Sequence, residues 1–279
     1  MSEKPIGVFD SGLGGLTVVK QLLRLLPHEN IVYFGDTGRV PYGTRSRDTI
    51  RKYTAQDMGF LLSQNVKMVI IACGTASAVA LDLGESLPVP FTGVVKPASA
   101  AAARATKTGR IGVIGTTATI RSGAYEAELR RIDPSLQVFV QDCPLFVPLV
   151  ENAFVSPDDE VTRLVAERYL APLREKKVDT LLMGCTHYPL LAPVLSRVMG
   201  GGITLIDAGL ETAVLTKELL AQNGVLNQSD KPGQPRFYVS DRVEGFLAVA
   251  DMFLGGRICR EIEQIDLDAL GAFGMPHSK

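Results

Sequence analysis

Short apolar runs alternate with helical patterns along most of the chain. The runs fall at residues 6–10, 32–36, 68–71, 91–95, 111–115, 138–142, 180–183, 203–207 and 237–241. Each has the length of a strand and lacks the polar alternation of a half-exposed one, so each reads as a strand buried on both faces. Between them, Leu16, Val19, Leu22, Leu23 and Leu26 recur at helical spacing before Pro27. Leu149 and Val150, then Val161, Leu164, Val165 and Tyr169, mark helices ahead of the strand that starts at Val178. A further amphipathic stretch runs from Val243 to Phe253, and the tail over 271–279 reads as weakly ordered. Strands that alternate with helices predict parallel sheets with helices on both faces.

The pattern also repeats. Ile-Gly-Val-Phe-Asp at 6–10 resembles Ile-Gly-Val-Ile-Gly at 111–115, and Val-Tyr-Phe-Gly-Asp at 32–36 resembles Val-Phe-Val-Gln-Asp at 138–142. The apolar run ending in Ala72-Cys73-Gly74-Thr75 then matches the one ending in Gly184-Cys185-Thr186-His187. The order and near-constant spacing predict an α/β protein of two similar parallel-sheet domains, a pseudo-twofold duplication facing across a central cleft. Residues 1–97 with 210–279 would form the domain carrying Cys73, and 98–209 the domain carrying Cys185.

Composition narrows the function. A chain of 279 residues with 46% hydrophobic positions can bury a large core, and a net charge of −1 gives no electrostatic case for nucleic acid or an anionic membrane. No apolar stretch approaches the ~18 residues of a membrane span. Met1-Ser2-Glu3-Lys4-Pro5 runs straight into a strand and leaves no room for a signal peptide, so a cytoplasmic setting is expected. Four scattered cysteines without a CxxC argue against a disulfide framework or a zinc site.

Candidate chemistry gathers at strand ends, where open α/β sheets hold their ligands. Cys73 or Cys185 alone is compatible with a small core residue. As a matched pair followed by Thr75 and by Thr186-His187, they point to two reactive thiols, and a helix opening after each would favour thiolate. Cys143 and Cys259 lack such company and read as structural. Asp10-Ser11-Gly12-Leu13-Gly14-Gly15 follows the first strand. It fits a dinucleotide cradle poorly, because Thr17 stands where Gly or Ala is needed and Asp10 would face the pyrophosphate. A carboxylate ligand held by backbone N–H groups suits it better. Thr116 and Thr119 could receive a carboxylate or cap a helix. His187 lies two positions from a thiol and can set its protonation. Alone, Pro41-Tyr42-Gly43 is an ordinary turn and Glu151 a helix-surface acid.

Taken together, these stretches resemble the glutamate racemases of the cofactor-independent aspartate/glutamate racemase superfamily. The matching segments are Asp10 to Thr17, Gly35-Asp36-Thr37, Val40-Pro41-Tyr42-Gly43, Ala72-Cys73 with Thr75-Ala76, Gly112 to Thr116, Phe146 to Glu151, and Gly184 to Pro189. They run in order along nearly the whole chain. The resemblance implies interconversion of L- and D-glutamate for peptidoglycan, with no pyridoxal phosphate or other cofactor, no metal and a homodimeric assembly. It implies Cys73 and Cys185 as acid/base thiols, assisted by Asp10 and His187 respectively, with Glu151 near the second. Substrate contacts would come from Ser11, Pro41, Tyr42, Gly43, Gly74, Thr75, Thr116, Thr119 and Thr186. One position departs: the family carries Asn where this chain has Gly74, and a lost hydrogen bond to a charged ligand costs roughly 1.5–3 kcal/mol. Another substrate such as aspartate, a non-catalytic small-ligand binder and a nucleotide-dependent oxidoreductase share parts of the pattern.

Overall fold

A computed structural model describes residues 2–256 and 261–267. Cys259 and the tail over 271–279 lie outside the described residues. The strands are β1 (Ile6–Asp10), β2 (Ile31–Gly35), β3 (Met68–Ile71), β4 (Phe91–Gly93), β5 (Arg110–Gly115), β6 (Gln137–Asp142), β7 (Thr180–Met183), β8 (Thr204–Asp207), β9 (Pro235–Val239) and β10 (Ile262–Gln264). The helices are α1 (Leu16–Leu25), α2 (Arg47–Ser63), α3 (Gly74–Val79), α4 (Val95–Ala105), α5 (Thr117–Ser122), α6 (Ala124–Ile132), α7 (Phe146–Glu151), α8 (Glu160–Glu175), α9 (Ala192–Met199), α10 (Ala208–Gln222) and α11 (Val243–Leu254).

Among the described residues the strands form two sheets, ordered β10-β9-β2-β1-β3-β4 and β6-β5-β7-β8. Every pairing is parallel. The four strands β2-β1-β3-β4 of the first sheet follow the same order as β6-β5-β7-β8 of the second, so the duplication seen in sequence is also one of topology. β1, β2, β3 and β7 are buried at every position, as unalternated apolar strands must be when helices cover both faces. β9 adds to the free edge of β2, and β10 to β9. The apolar run at 237–241 anticipates β9; β10 had no comparable signal.

Helices formed where periodicity placed them, with one shift of face. α1 buries Leu16, Val18, Val19 and Leu22. α8 instead buries Thr162, Ala166, Leu170 and Leu173, while Val161 and Leu164 are 51% and 52% exposed. The apolar residues that reveal the helix are therefore not the ones it turns inward. Leu170 and Leu173, one turn further on, set the rotation, and Thr162 is accommodated by donating to the Phe154 carbonyl at 2.8 Å. Among the described residues no helix is long and apolar enough to cross a membrane.

Candidate active site

In each sheet the first strand lies between the second and third, so the chain reverses direction across the sheet beside it. Such a switch point opens a crevice at the carboxyl ends of the two strands. In the first sheet the crevice lies between β1, which leads into Asp10 and Ser11, and β3, which leads into Cys73. In the second it lies between β5, leading into Thr116, and β7, leading into Cys185. Ser11, Pro41, Tyr42, Gly43, Cys73, Gly74, Thr75, Thr116, Cys185, Thr186 and His187 line one cavity, with Val40 and Val147. The two halves are stitched together there. Thr75 and Thr116 hydroxyls meet at 2.9 Å, the Thr17 hydroxyl donates to the Thr186 carbonyl at 2.9 Å, and the Thr186 hydroxyl donates to Asp10 at 3.2 Å.

The thiols sit in unlike surroundings. Cys73 caps the amino end of α3, with the Ala76 N–H 3.5 Å from its sulfur and the Ser11 hydroxyl at 3.4 Å. Burial and the nearby Asp10 carboxyl outweigh these contacts and push the thiol up to about 12. Asp10 is also raised, by burial, against the pull of His187 and of the Gly12 and Gly15 N–H groups. No α-helix opens directly after Cys185; the chain passes into a short 3₁₀ turn at Tyr188–Leu191. Its sulfur instead lies 3.8 Å from His187 Nδ1, whose other nitrogen is 3.1 Å from Glu151. Burial disfavours a charged imidazole, but the contacts with Cys185 and Glu151 prevail and lift His187 to about 10. The ring also stands edge-on to Phe253 of α11, with centroids 5.3 Å apart.

Three expected site residues stand behind the cavity wall. Asp10 reaches it through Thr186, Glu151 through His187, and Thr119 through Thr75 and Thr116. Thr116 caps α5 and lines the cavity, so the two readings of its hydroxyl are compatible. The glycine-rich loop after β1 serves close approach between halves. A Cβ at Gly14 would lie 2.1 Å from the Thr186 hydroxyl and 2.5 Å from His187 Nδ1. Gly74 packs in the same way: a Cβ there would meet the Gly184 carbonyl oxygen at 2.3 Å. Gly74 thus lets the two thiol loops close on each other and offers the cavity no hydrogen-bonding side chain.

Sequence reading missed Arg39, Asp57 and Ser240. The Tyr42 hydroxyl is held by Asp36 and Asp57, and Arg39 bridges the same two carboxylates. Asp36 lies within the matching segment Gly35-Asp36-Thr37, and its partners are Arg39, Tyr42 and the Ser240 hydroxyl. Asp57 lies mid-helix in α2, outside every matching segment, and only its complete burial marks it. A second cavity of about 550 Å³ adjoins the first at Gly43 and is lined by Arg45, Arg47 and Arg121.

Residues 6–216 match the family model described as Asp/Glu/Hydantoin racemase. The chain is 49% identical to a glutamate racemase of Chlorobaculum tepidum, covering 91% of this chain and 93% of that protein. It is 45% identical to the glutamate racemase of Geobacter metallireducens, covering 96% and 99%. A crystal structure of glutamate racemase from Francisella tularensis in complex with D-glutamate superposes with a TM-score of 0.89 at 40% identity, covering 96% of this chain and all of that one. Duplicated topology, paired thiols and these likenesses lead to one conclusion: the chain belongs to the Asp/Glu/hydantoin racemase family and is an isomerase.

Proposed function

We propose that this chain interconverts L- and D-glutamate in the cytoplasm, and so supplies D-glutamate for peptidoglycan, using Cys73 and Cys185 as acid and base on opposite faces of the α-carbon. The observation that carries the reading is that two thiols, from equivalent strand ends of a duplicated fold, line one cavity. The names and high coverage of the relatives support glutamate as the substrate. The arginines of the adjoining cavity suit the approach of an anionic molecule. The free thiols of Cys73, Cys143 and Cys185 suit a reducing compartment.

The chemistry balances without a cofactor. A thiolate on one face takes the α-proton, and the electron pair of the C–H bond passes into the α-carbon and its carboxylate. The thiol on the other face gives its proton to that carbon, leaving inverted glutamate and the two sulfurs with exchanged protonation. Return from the opposite enantiomer runs the steps in reverse. Burial and Asp10 hold Cys73 as a thiol, the form that gives a proton, and His187 lies beside Cys185 as its partner in proton transfer. Hydroxyl and backbone donors around the carboxylate stabilise the negative charge that develops there.

The cavity measures about 30 Å³, room for a few water molecules at most and not for an amino acid. Substrate entry therefore requires the walls to separate, moving residues 1–97 and 210–279 against 98–209, and closure then expels water. L-Glutamate supplied in deuterated water tests the reading: it should exchange its α-proton and yield D-glutamate by chiral analysis. A folded, reduced protein that exchanges no α-proton of glutamate overturns it.

A further inference from the structure

Asp36, Asp57 and Tyr42 are almost completely buried, at 0%, 0% and 1% exposure. The Tyr42 hydroxyl lies within hydrogen-bond distance of Asp36 Oδ2 and, at 2.8 Å, of Asp57 Oδ2. A phenol carries one hydrogen and can satisfy only one of these contacts. If both carboxylates were ionised, the other would set two oxygens against each other with no hydrogen between them. Charge counting agrees. Arg39 is the one cation bridging the pair, donating to Asp36 through Nε and to Asp57 through Nη2 at 3.0 Å. Two carboxylates with one guanidinium would leave a net negative charge without solvent, a costly arrangement.

We propose that Asp36 and Asp57 share one proton, carried on Asp57, and that the chain Asp57 Oδ2–H to Tyr42 Oη–H to Asp36 carboxylate positions the Pro41–Tyr42–Gly43 wall of the substrate cavity. The assignment to Asp57 follows from the donors. Asp36 accepts from Arg39 Nε at both oxygens, at 2.9 and 2.7 Å, and from the Ser240 hydroxyl at 2.8 Å. Among the described residues Asp57 meets Arg39 Nη2 and the Tyr42 hydroxyl. Burial and the adjacent Asp36 push its carboxyl well up, against the pull of Arg39, and Asp10 adds to the rise. The charged and titratable groups facing Asp57 are therefore Asp36, Arg39, Tyr42 and Asp10.

These are positioning residues. Tyr42 lines the cavity with its ring, while its hydroxyl is anchored behind the wall. Arg39 lies over the Tyr53 ring at 4.2 Å and is fixed at the far side. Ser240, just beyond β9, accepts from the Gly38 N–H at 2.9 Å and so braces the same loop from the carboxyl-terminal segment. Loss of the shared proton at alkaline pH would set two anions against each other behind the loop and loosen the wall.

The kinetic part rests on the proposed function; the proton itself does not. ¹³C NMR of protein labelled at its aspartate carboxyls should show, near neutral pH, a carboxyl with the shift of the protonated form that is lost in Asp57→Asn and, because Asp57 is then free to ionise against Arg39, in Asp36→Asn, but is kept in Asp10→Asn. Asp57→Asn, whose amide can donate to Tyr42 as the acid does, should keep kcat and KM within about threefold and lose any alkaline rise in KM that originates here. Asp36→Asn leaves Arg39 without its main anion and should raise KM about tenfold or more, with a smaller change in kcat. Should Asp36→Asn fail to fold, Tyr42→Phe gives the same kinetic readout, a raised KM with kcat little changed. An ionised Asp57 signal near neutral pH, or a KM for Asp57→Asn as high as for Asp36→Asn, overturns the proposal. If no variant and no parent enzyme turns over glutamate while the protonated signal is present, the functional reading fails and the shared proton stands.

Discussion

The two halves repeat one topology and place a thiol at the same strand end, yet equip it differently. The Cys73 side has a helix amino terminus, a serine hydroxyl and a buried carboxyl held off the cavity. The Cys185 side has an imidazole backed by a glutamate and no α-helix directly behind the sulfur. Duplication supplied the geometry of paired groups, and divergence of the neighbours supplied the difference in surroundings. Under the proposed two-thiol scheme this asymmetry is useful, because that scheme needs one sulfur as thiol while the other is thiolate. Two identical environments would leave both protonated or both bare for much of the time.

The comparison breaks most completely if either sulfur is removed. Cys73→Ser and Cys185→Ser should each lower racemisation by 10³-fold or more, measured as D-glutamate formed from L-glutamate. Next in size, His187→Asn removes the proton partner of one side only. It should reduce kcat by about 10² and displace the alkaline limb of the pH–rate profile, where His187 loses its proton, whereas Glu151→Gln, one bond further out, should cost about tenfold. Equal effects on either side would show that the asymmetry has no catalytic meaning.

A smaller effect is expected at the contact between the thiol loops. Gly74→Ala introduces a Cβ that must displace the Gly184 carbonyl and should lower turnover by about tenfold, the penalty of a modest overpacking in the closed state. Gly74→Asn suffers the same crowding but adds a hydrogen-bonding side chain, so its KM should fall below that of Gly74→Ala. The smallest effect is on stability. His187 titrates near its ordinary 6.5 when unfolded and at about 10 in the fold. Its charge–partner contribution is thus complete below about 6.5 and is lost as pH rises toward 10. Thermal midpoints should fall over that interval in the parent protein and fall less in His187→Asn. Asp57 acts in the same direction from a lower start: folding retains a proton that the unfolded carboxyl releases near 4, so stability declines as pH rises above that value.

Much of this was legible in the chain because buried parallel strands leave an unmistakable signature, and because motifs at their ends are local. Cys73, Thr75, Cys185, Thr186 and His187 each follow a strand by a few residues, and the fold brings them together. The layer behind them was not legible. Asp57 is an acid in the middle of α2, and nothing in its neighbours announces that it meets Tyr42. Arg39 and Ser240 are ordinary loop residues until β9 joins β2. Gly14 and Gly74 could be read as turn formers; their function as contact points between halves depends on the Thr186 and His187 side chains and the Gly184 backbone, more than 100 positions away. The rotation of α8 was not legible either, because Val161 and Leu164 carry a helical rhythm on an outward face.

The central claim is that each thiol serves one face of the α-carbon. The most direct measurement follows α-proton exchange of L-glutamate and of D-glutamate, separately, in deuterated water with Cys73→Ser and with Cys185→Ser. One thiol per face predicts that each variant exchanges one enantiomer much faster than the other, with opposite preference in the two variants and no net inversion. Equal exchange of both enantiomers by either variant, or the same preference in both, would contradict it.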